Sequence, residues 1–193
     1  MVTPEVAISM RASEPVPHAK YERLIARAKE APASSTIVVH PCDETSLRGP
    51  VEAAEAGIIR PTFVGPSAKI AAVAKKHGLD IGNYEVVDVE HSEAAAAKAV
   101  EMIRAGKGEL LMKGSLHTDE LMRAVTSSST GLRTARRISH VFIMDVPSHP
   151  DTLIVTDAAI NIAPDLDVKR DIVQNAIDLF SEIGDGMPRV AIL

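Results

Sequence analysis

The chain has 193 residues, 46% of them hydrophobic and 24% charged, with a formal net charge of −5. That balance suits a soluble globular protein of one or two domains and excludes a disordered chain. Aromatic residues make up only 3%, with no Trp, and the charge is acidic, which speaks against a binder of single strands or of the nucleic-acid backbone.

Apolar runs are short and interrupted, so no transmembrane helix is expected. The first residues lack the continuous apolar core of a secretory signal. A single cysteine, Cys42, rules out an internal disulfide and a cysteine-cluster metal site, and a reducing cytoplasm is the expected location. Alanine and β-branched aliphatics must build the core.

Residues 1–17, with Pro4, Pro15 and Pro17, read as a flexible leader or linker. A helix is predicted from about His18 to Glu30, stopped by Pro32. Thr36–His40 is a buried strand. Ser46–Ala56 is a helix closed by Gly57, its start obscured by Gly49-Pro50. Pro61–Val64 is a strand, and Ser67 caps a helix to His77 that ends at Gly78. Tyr84–Val89 is a strand, and Ser92–Ala105 an alanine-rich helix ended by Gly106. Leu110–Lys113 is a fourth, buried strand, and Thr118–Val125 a helix. Such alternation implies right-handed βαβ units and a parallel sheet.

After about residue 137 the rhythm changes. Ile138–Val146 and Leu153–Thr156 are strands too close in sequence for a crossover helix, hence an antiparallel pair. Asp165 and Asp167 are alternative caps for a helix to Ile183, ended by Gly184. Residues 189–193 begin another strand. The expected organisation is a leader over 1–17, a three-layer α/β domain over 18–137 and the start of a second α/β domain over 138–193.

Charge is uneven. Residues 98–140 hold eight Lys and Arg against four Asp and Glu. Such an excess in an acidic chain fits a small anionic ligand, and equally a scatter of solvated side chains. The stretch Leu110–Arg123 carries the most chemistry. A strand runs into Gly114-Ser115, and His117-Thr118 opens a helix whose N-terminus offers unpaired N–H groups and a positive partial charge. Lys113, Ser115, His117 and Thr118 add donors, so a phosphate or acyl phosphate can sit here. An ordinary turn capped by Thr118, with Asp119 and Glu120 answering the dipole, explains the same residues. Arg123 is either an i,i+4 partner of Asp119 or a guanidinium fork for a phosphate.

Arg133, Arg136 and Arg137 form a solvated loop or meet the phosphates of a nucleotide-containing molecule. Ser139 and His140 alternate faces on the following strand, so only one faces a cleft. Asp157 and Asn161, after the strand Leu153–Thr156, fit a polar site or plain turn caps. A triad of Ser115, His117 and Asp157 lacks the G-x-S-x-G elbow. Cys42 reads as a structural thiol, and the seven His show no metal-ligand spacing.

Four segments in order, KGSLHTDELMRAV (113–125), GLRTARRISHVFIMDVP (131–147), TDAAINIAPDLDVKRDIVQNAIDL (156–179) and PRVAIL (188–193), resemble the phosphate acetyltransferase/phosphate butyryltransferase family. The resemblance reaches, more weakly, back to about His18. It implies a two-domain α/β fold of the isopropylmalate dehydrogenase type and reversible acyl transfer between coenzyme A and phosphate. In the family the thiol attacks the acyl phosphate directly. Carried over, Ser115, His117, Thr118 and Arg123 match the phosphate-side stretch, and Asp157 and Asn161 match the cleft wall. The candidate catalytic residues are therefore Arg123, Ser115 and His117. Lys113, Gly114, Thr118, Arg133, Ser139, Asp157 and Asn161 are the candidates for substrate binding, with no metal ligand. Coenzyme A is implied as a substrate, not a cofactor, and a homodimer is implied as the assembly.

Two departures stand out. Acetyl-type members usually have proline where this chain has Ala124, which leans toward the butyryl-like branch. The family also continues past PRVAIL, where it carries a serine-arginine segment and an aspartate proposed to take the thiol proton. These have no match here, so the resemblance implies a truncated chain with little activity of its own. The leader resembles the junction in members fused to an enoyl-CoA hydratase domain. Two rival readings keep the same residues: a non-catalytic phosphate-binding or interaction module, and a relative of metal-dependent dehydrogenases.

Overall fold

A computed structural model describes residues 18–184 and 186–192. The leader expected over 1–17 lies outside the described residues. The chain divides into two compact units, Ala26–Arg137 and the described parts of Met1–Ile25 and Ile138–Leu193. It passes between them within helix α1 (Ala19–Glu30) and again after Arg137.

In the first unit, strands β1 (Ser34–Val39), β2 (Ile59–Gly65), β3 (Glu85–Asp88) and β4 (Leu110–Lys113) form one sheet in the order β3-β2-β1-β4, with every pair parallel. Helices α2 (Glu44–Glu55), α3 (Ser67–His77), α4 (Ser92–Arg104) and α5 (Thr118–Val125) cover it. The two-residue period of β1 sorts them into layers. Ile37 and Val39 pack with Ala95, Ala96, Ala99 and Met102 of α4 and with Leu121 of α5. Val38 points the other way, among Leu47 and Val51 of α2, Phe63, and Ile70 and Ala74 of α3. These β1 side chains are 0% exposed, and each burial contributes about 1.5–3 kcal/mol over leaving it in water. The three-layer expectation holds. Phe63 is the ring at its centre, met edge-on by Tyr84 with centroids 5.7 Å apart.

The strand order creates a reversal. From β1 the chain steps outward through β2 to β3, then α4 carries it back to β4 on the far side of β1. The connections leaving β1 and β4 therefore depart toward opposite faces. Val39 and Lys113 are register partners, so these two strands end level. Between such diverging connections a parallel sheet opens a crevice at its carboxyl end.

Several expected details change. Strand β4 is an edge, not a buried strand: Leu110 is 49% exposed, because among the described residues only β1 pairs with it. Helix α2 starts at Glu44, two residues before the expected Ser46. Asp43 Oδ1 accepts from the Ser46 N–H at 2.8 Å and Ser46 Oγ from the Asp43 N–H at 3.4 Å, a reciprocal box. Pro50 sits inside that helix. Gly49 before it lacks the Cβ that would crowd the proline ring in helical geometry. Ser67 is the first residue of α3 rather than its cap, and its N–H is satisfied by Asp88 Oδ1 from the end of β3 at 2.7 Å.

In the second unit, β5 (Val141–Met144) and β6 (Leu153–Thr156) pair antiparallel, as expected. The first is shorter than the predicted Ile138–Val146, because side chains and not a strand bond residues 138–140, as described below. Asp165, not Asp167, caps α6 (Leu166–Ile183), accepting from the Val168 N–H at 2.9 Å. Lys20 of α1 pairs with Asp145 at 3.0 Å and donates to the carbonyls of Val146 and His149. The strand expected from residue 189 is not formed over 189–192, where no described strand runs alongside to share hydrogen bonds. No described helix is long and apolar enough to cross a membrane.

Candidate functional site

The crevice end of the first unit is built from the residues that follow β1 and β4. Past β4 the ladder continues for two residues. The Gly114 N–H donates to the Val39 carbonyl at 2.8 Å and the Ser115 N–H to the His40 carbonyl at 2.9 Å. Gly114 is buried against that neighbour: a Cβ there would lie 2.3 Å from the Val39 oxygen and 2.6 Å from the His40 oxygen. Only glycine allows the approach. Ser115 Oγ donates to the His40 carbonyl at 2.8 Å, accepts from the Cys42 N–H at 3.1 Å and lies 3.3 Å from His40 Nδ1.

His40 joins this group only in three dimensions. It directly follows β1 with φ +54°, a left-handed conformation that non-glycine residues rarely adopt. Its N–H is held by the Val64 carbonyl at 2.7 Å. Burial lowers its pKa and the Lys69 ammonium lowers it further, against smaller opposing effects of Glu120 and Asp43. Nothing in the sequence marked His40 beyond its place at a strand end. Burial pushes the Cys42 thiol up, with Lys69 pulling weakly the other way, which fits the structural thiol expected for it.

Helix α5 opens on His117, not Thr118, as its N-cap. Glu120 Oε2 accepts the His117 N–H at 3.1 Å, and Oε1 accepts from Ser92 Oγ at 3.2 Å. Glu120 thus answers part of the helix end from within the chain, which a short polar Thr118 side chain was expected to do. Lys113, His117 and Thr118 are exposed, with Lys113 Nζ 3.3 Å from the Gly114 carbonyl. One turn into the helix, Arg123 is 70% exposed and lies 3.6 Å from both Glu93 and Asp119. Exposed pairs at that distance hold the side chain weakly. Along the turn and helix from Lys113 to Arg123 stand an ammonium, an imidazole, a hydroxyl and, in the last turn, a guanidinium, a donor set suited to an oxyanion. It is not a serine nucleophile: the Ser115 proton goes to a carbonyl rather than to His117.

The second unit holds Ser139, Asp157 and Asn161. Asp157 Oδ1 accepts the His140 N–H at 2.9 Å and those of Ala159 and Ile160 at 3.3 Å. Its Oδ2 accepts the Asn161 N–H at 2.8 Å and also the Asn161 side-chain amide. Thr156 Oγ1 donates to the His140 carbonyl at 2.7 Å, and Asn161 Nδ2 to that of Ile138. Asp157 and Asn161 therefore clasp the strand that carries His140. Ser139 Oγ is bonded by Asn175 Nδ2 of α6 at 2.9 Å, whereas the buried Nδ1 of His140 meets no partner among the described residues. Arg133, Arg136 and Arg137 are exposed at the end of the first unit. No described group of three His, Cys, Asp or Glu is placed to hold a metal.

The clasp sets a pH dependence. Burial alone would raise the Asp157 pKa, but the hydrogen bonds from His140, Asn161, Ala159 and Ile160 outweigh it and carry it down to about 2. An unfolded Asp titrates near ~3.9. A depressed folded pKa contributes stability that is whole above about pH 4 and is lost as the pH falls toward 2. An NMR titration of the carboxyl is expected to centre near pH 2, with the His140 amide resonance moving in step. A midpoint at the unfolded value would show that the clasp is not formed.

A family model described as phosphate acetyl/butaryl transferase matches residues 92–193, which include α4, α5 and both candidate groups. The chain is 67% identical over 184 residues to the phosphate acetyltransferase of Rhizobium meliloti, covering 95% of this chain and 58% of that protein. It is 34% identical over 171 residues to the phosphate butyryltransferase of Clostridium beijerinckii, covering 89% and 57%. The fold matches the crystal structure of a phosphotransacetylase from Streptococcus pyogenes with a TM-score of 0.72 at 15% identity, over 86% of this chain and 59% of that one. The chain spans about half the length of the curated relatives it matches.

Proposed function

Because the chain belongs to the phosphate acetyl/butyryl transferase family, we propose that the protein transfers an acetyl or butyryl group reversibly between coenzyme A and phosphate. In the direction of thioester formation the coenzyme A sulfur bonds to the acyl carbon. The bond from that carbon to the phosphate oxygen breaks, the thiol proton is released, and inorganic phosphate leaves. Coenzyme A is a substrate on this reading, and the enzyme acts in the cytoplasm as a homodimer.

The observation that carries the proposal is the donor group from Lys113 to Arg123, which stands at the topological reversal of the sheet and inside the family-matched region. Arg123 is assigned to the phosphate oxygens, where its planar fork matches two of them. His117, Thr118, Lys113 and the first N–H groups of α5 supply further donors. Charge gathers on the phosphate as it leaves, so these groups act most strongly in the transition state. Arg133 and its neighbours are assigned to the phosphates of coenzyme A. In the second unit, Asp157, Asn161 and Ser139 are assigned to shaping the substrate-binding surface there.

Ala124 leans toward butyryl substrates, whereas the more similar of the two curated relatives named above is an acetyltransferase. The test is an assay of the whole gene product for thioester formation from coenzyme A with acetyl phosphate and butyryl phosphate in parallel. Turnover with at least one is expected, together with its reversal on addition of phosphate. No phosphate-linked turnover with either overturns the proposal.

A further inference from the structure

We propose that Ser115 is a positioning residue. Its hydroxyl ties the turn after β1 to the turn after β4 and so sets where the first turn of α5 stands, without touching the substrate. The inference deepens the reading given above and rests on it for the identity of the positioned group.

A serine hydroxyl has one proton and two lone pairs. The proton is given to the His40 carbonyl at 2.8 Å. One lone pair takes the Cys42 N–H at 3.1 Å, and His40 Nδ1, 3.3 Å away, stands where it can fill the other. Phosphate oxygens are acceptors and need a donor, but the only proton Ser115 owns is already bonded within the chain. The same oxygen of His40 also receives the N–H groups of Ser115 and Cys42, each at 2.9 Å. His40 is fixed in turn to β2 through Val64. Three donors on one carbonyl, on a residue held in the left-handed region, mark a joint rather than a surface. The N-cap of helix α5 lies two residues beyond Ser115, so the joint orients His117, Thr118 and, through the helix, Arg123.

Removing the hydroxyl leaves the His40 carbonyl and the Cys42 N–H one bond each poorer but not unpaired, so Ser115→Ala is expected to fold. Two readouts are taken. Amide exchange by NMR needs no activity: in S115A the Cys42 amide is expected to exchange about fivefold to tenfold faster, with α4 amides unchanged, and S115T, which keeps the hydroxyl, to match the parent. In the assay of the whole gene product, S115A is expected to lower kcat roughly tenfold or more with the phosphate KM nearly unmoved. Unchanged Cys42 exchange in S115A, or S115T exchanging like S115A, overturns the tie whatever the enzyme's activity. A tenfold rise in phosphate KM at constant kcat makes Ser115 a ligand and overturns the positioning role. Should the parent show no phosphate-linked turnover, the functional reading falls while the exchange result still decides the tie.

Discussion

Gly114→Ala is expected to destabilise the first unit by about 3 kcal/mol. The added Cβ would meet the Val39 and His40 carbonyl oxygens at 2.3 and 2.6 Å. Both are backbone atoms, so no side chain can swing aside to make room. To accept the methyl, β4 must move away from β1, and the Gly114–Val39 and Ser115–His40 hydrogen bonds lengthen or break. This outweighs the few tenths to one kcal/mol that Gly→Ala brings by restricting the unfolded chain. The measurement is urea unfolding in a Tyr21→Phe background. Tyr84, the other of the two tyrosines, then reports the first unit through its contact with Phe63. A loss below about 1 kcal/mol would mean that the turn tolerates a side chain and that the close approach is not required.

Arg123→Gln is expected to do the opposite: little to stability and much to activity. Its two ion pairs are exposed and 3.6 Å long, which puts their loss within about 0.5 kcal/mol. If the guanidinium grips the departing phosphate, its removal lowers kcat/KM by about 10²–10³, the range for deleting one preorganised transition-state donor. Arg123→Lys keeps the charge without the planar fork and is expected to recover only part of that loss. The comparison is made on the whole gene product, with circular dichroism confirming equal folding. A change under about threefold in kcat/KM would remove Arg123 from the proposed site.

The two predictions divide the candidate stretch by what each residue touches. Gly114 and Ser115 face the backbone of β1, while Arg123 faces solvent. From the sequence they formed a single run of donors and a flexible glycine, because spacing along a chain says nothing about which neighbour lies across the sheet. The Thr118 cap was misplaced by one residue for a similar reason. His117 and Thr118 are both acceptable helix starts, and Glu120, through its bond to the His117 N–H, decides between them.

What the amino-acid sequence determined by itself is everything that closes within a few residues. The alternation in β1 sorts Ile37 and Val39 from Val38, which is enough to require helices on two faces. The bounds of β4 and α5 and the Gly184 stop follow from caps and periods spanning four residues or fewer, whereas the choice of Asp165 over Asp167 as the cap of α6 was left to the structure. The ordered segments between 113 and 193 also carried the family. Tertiary structure alone decided the rest, because the deciding bonds join residues far apart in the chain. The Ser115 hydroxyl and the His40 carbonyl are 75 residues apart, Asp88 and the start of α3 are 21 apart, and Asp157 and His140 are 17 apart. A left-handed histidine, a carboxylate titrating near 2 and a serine whose one proton is already taken are properties of those contacts. Local pattern cannot encode them, since each depends on which distant segment the fold sets beside it.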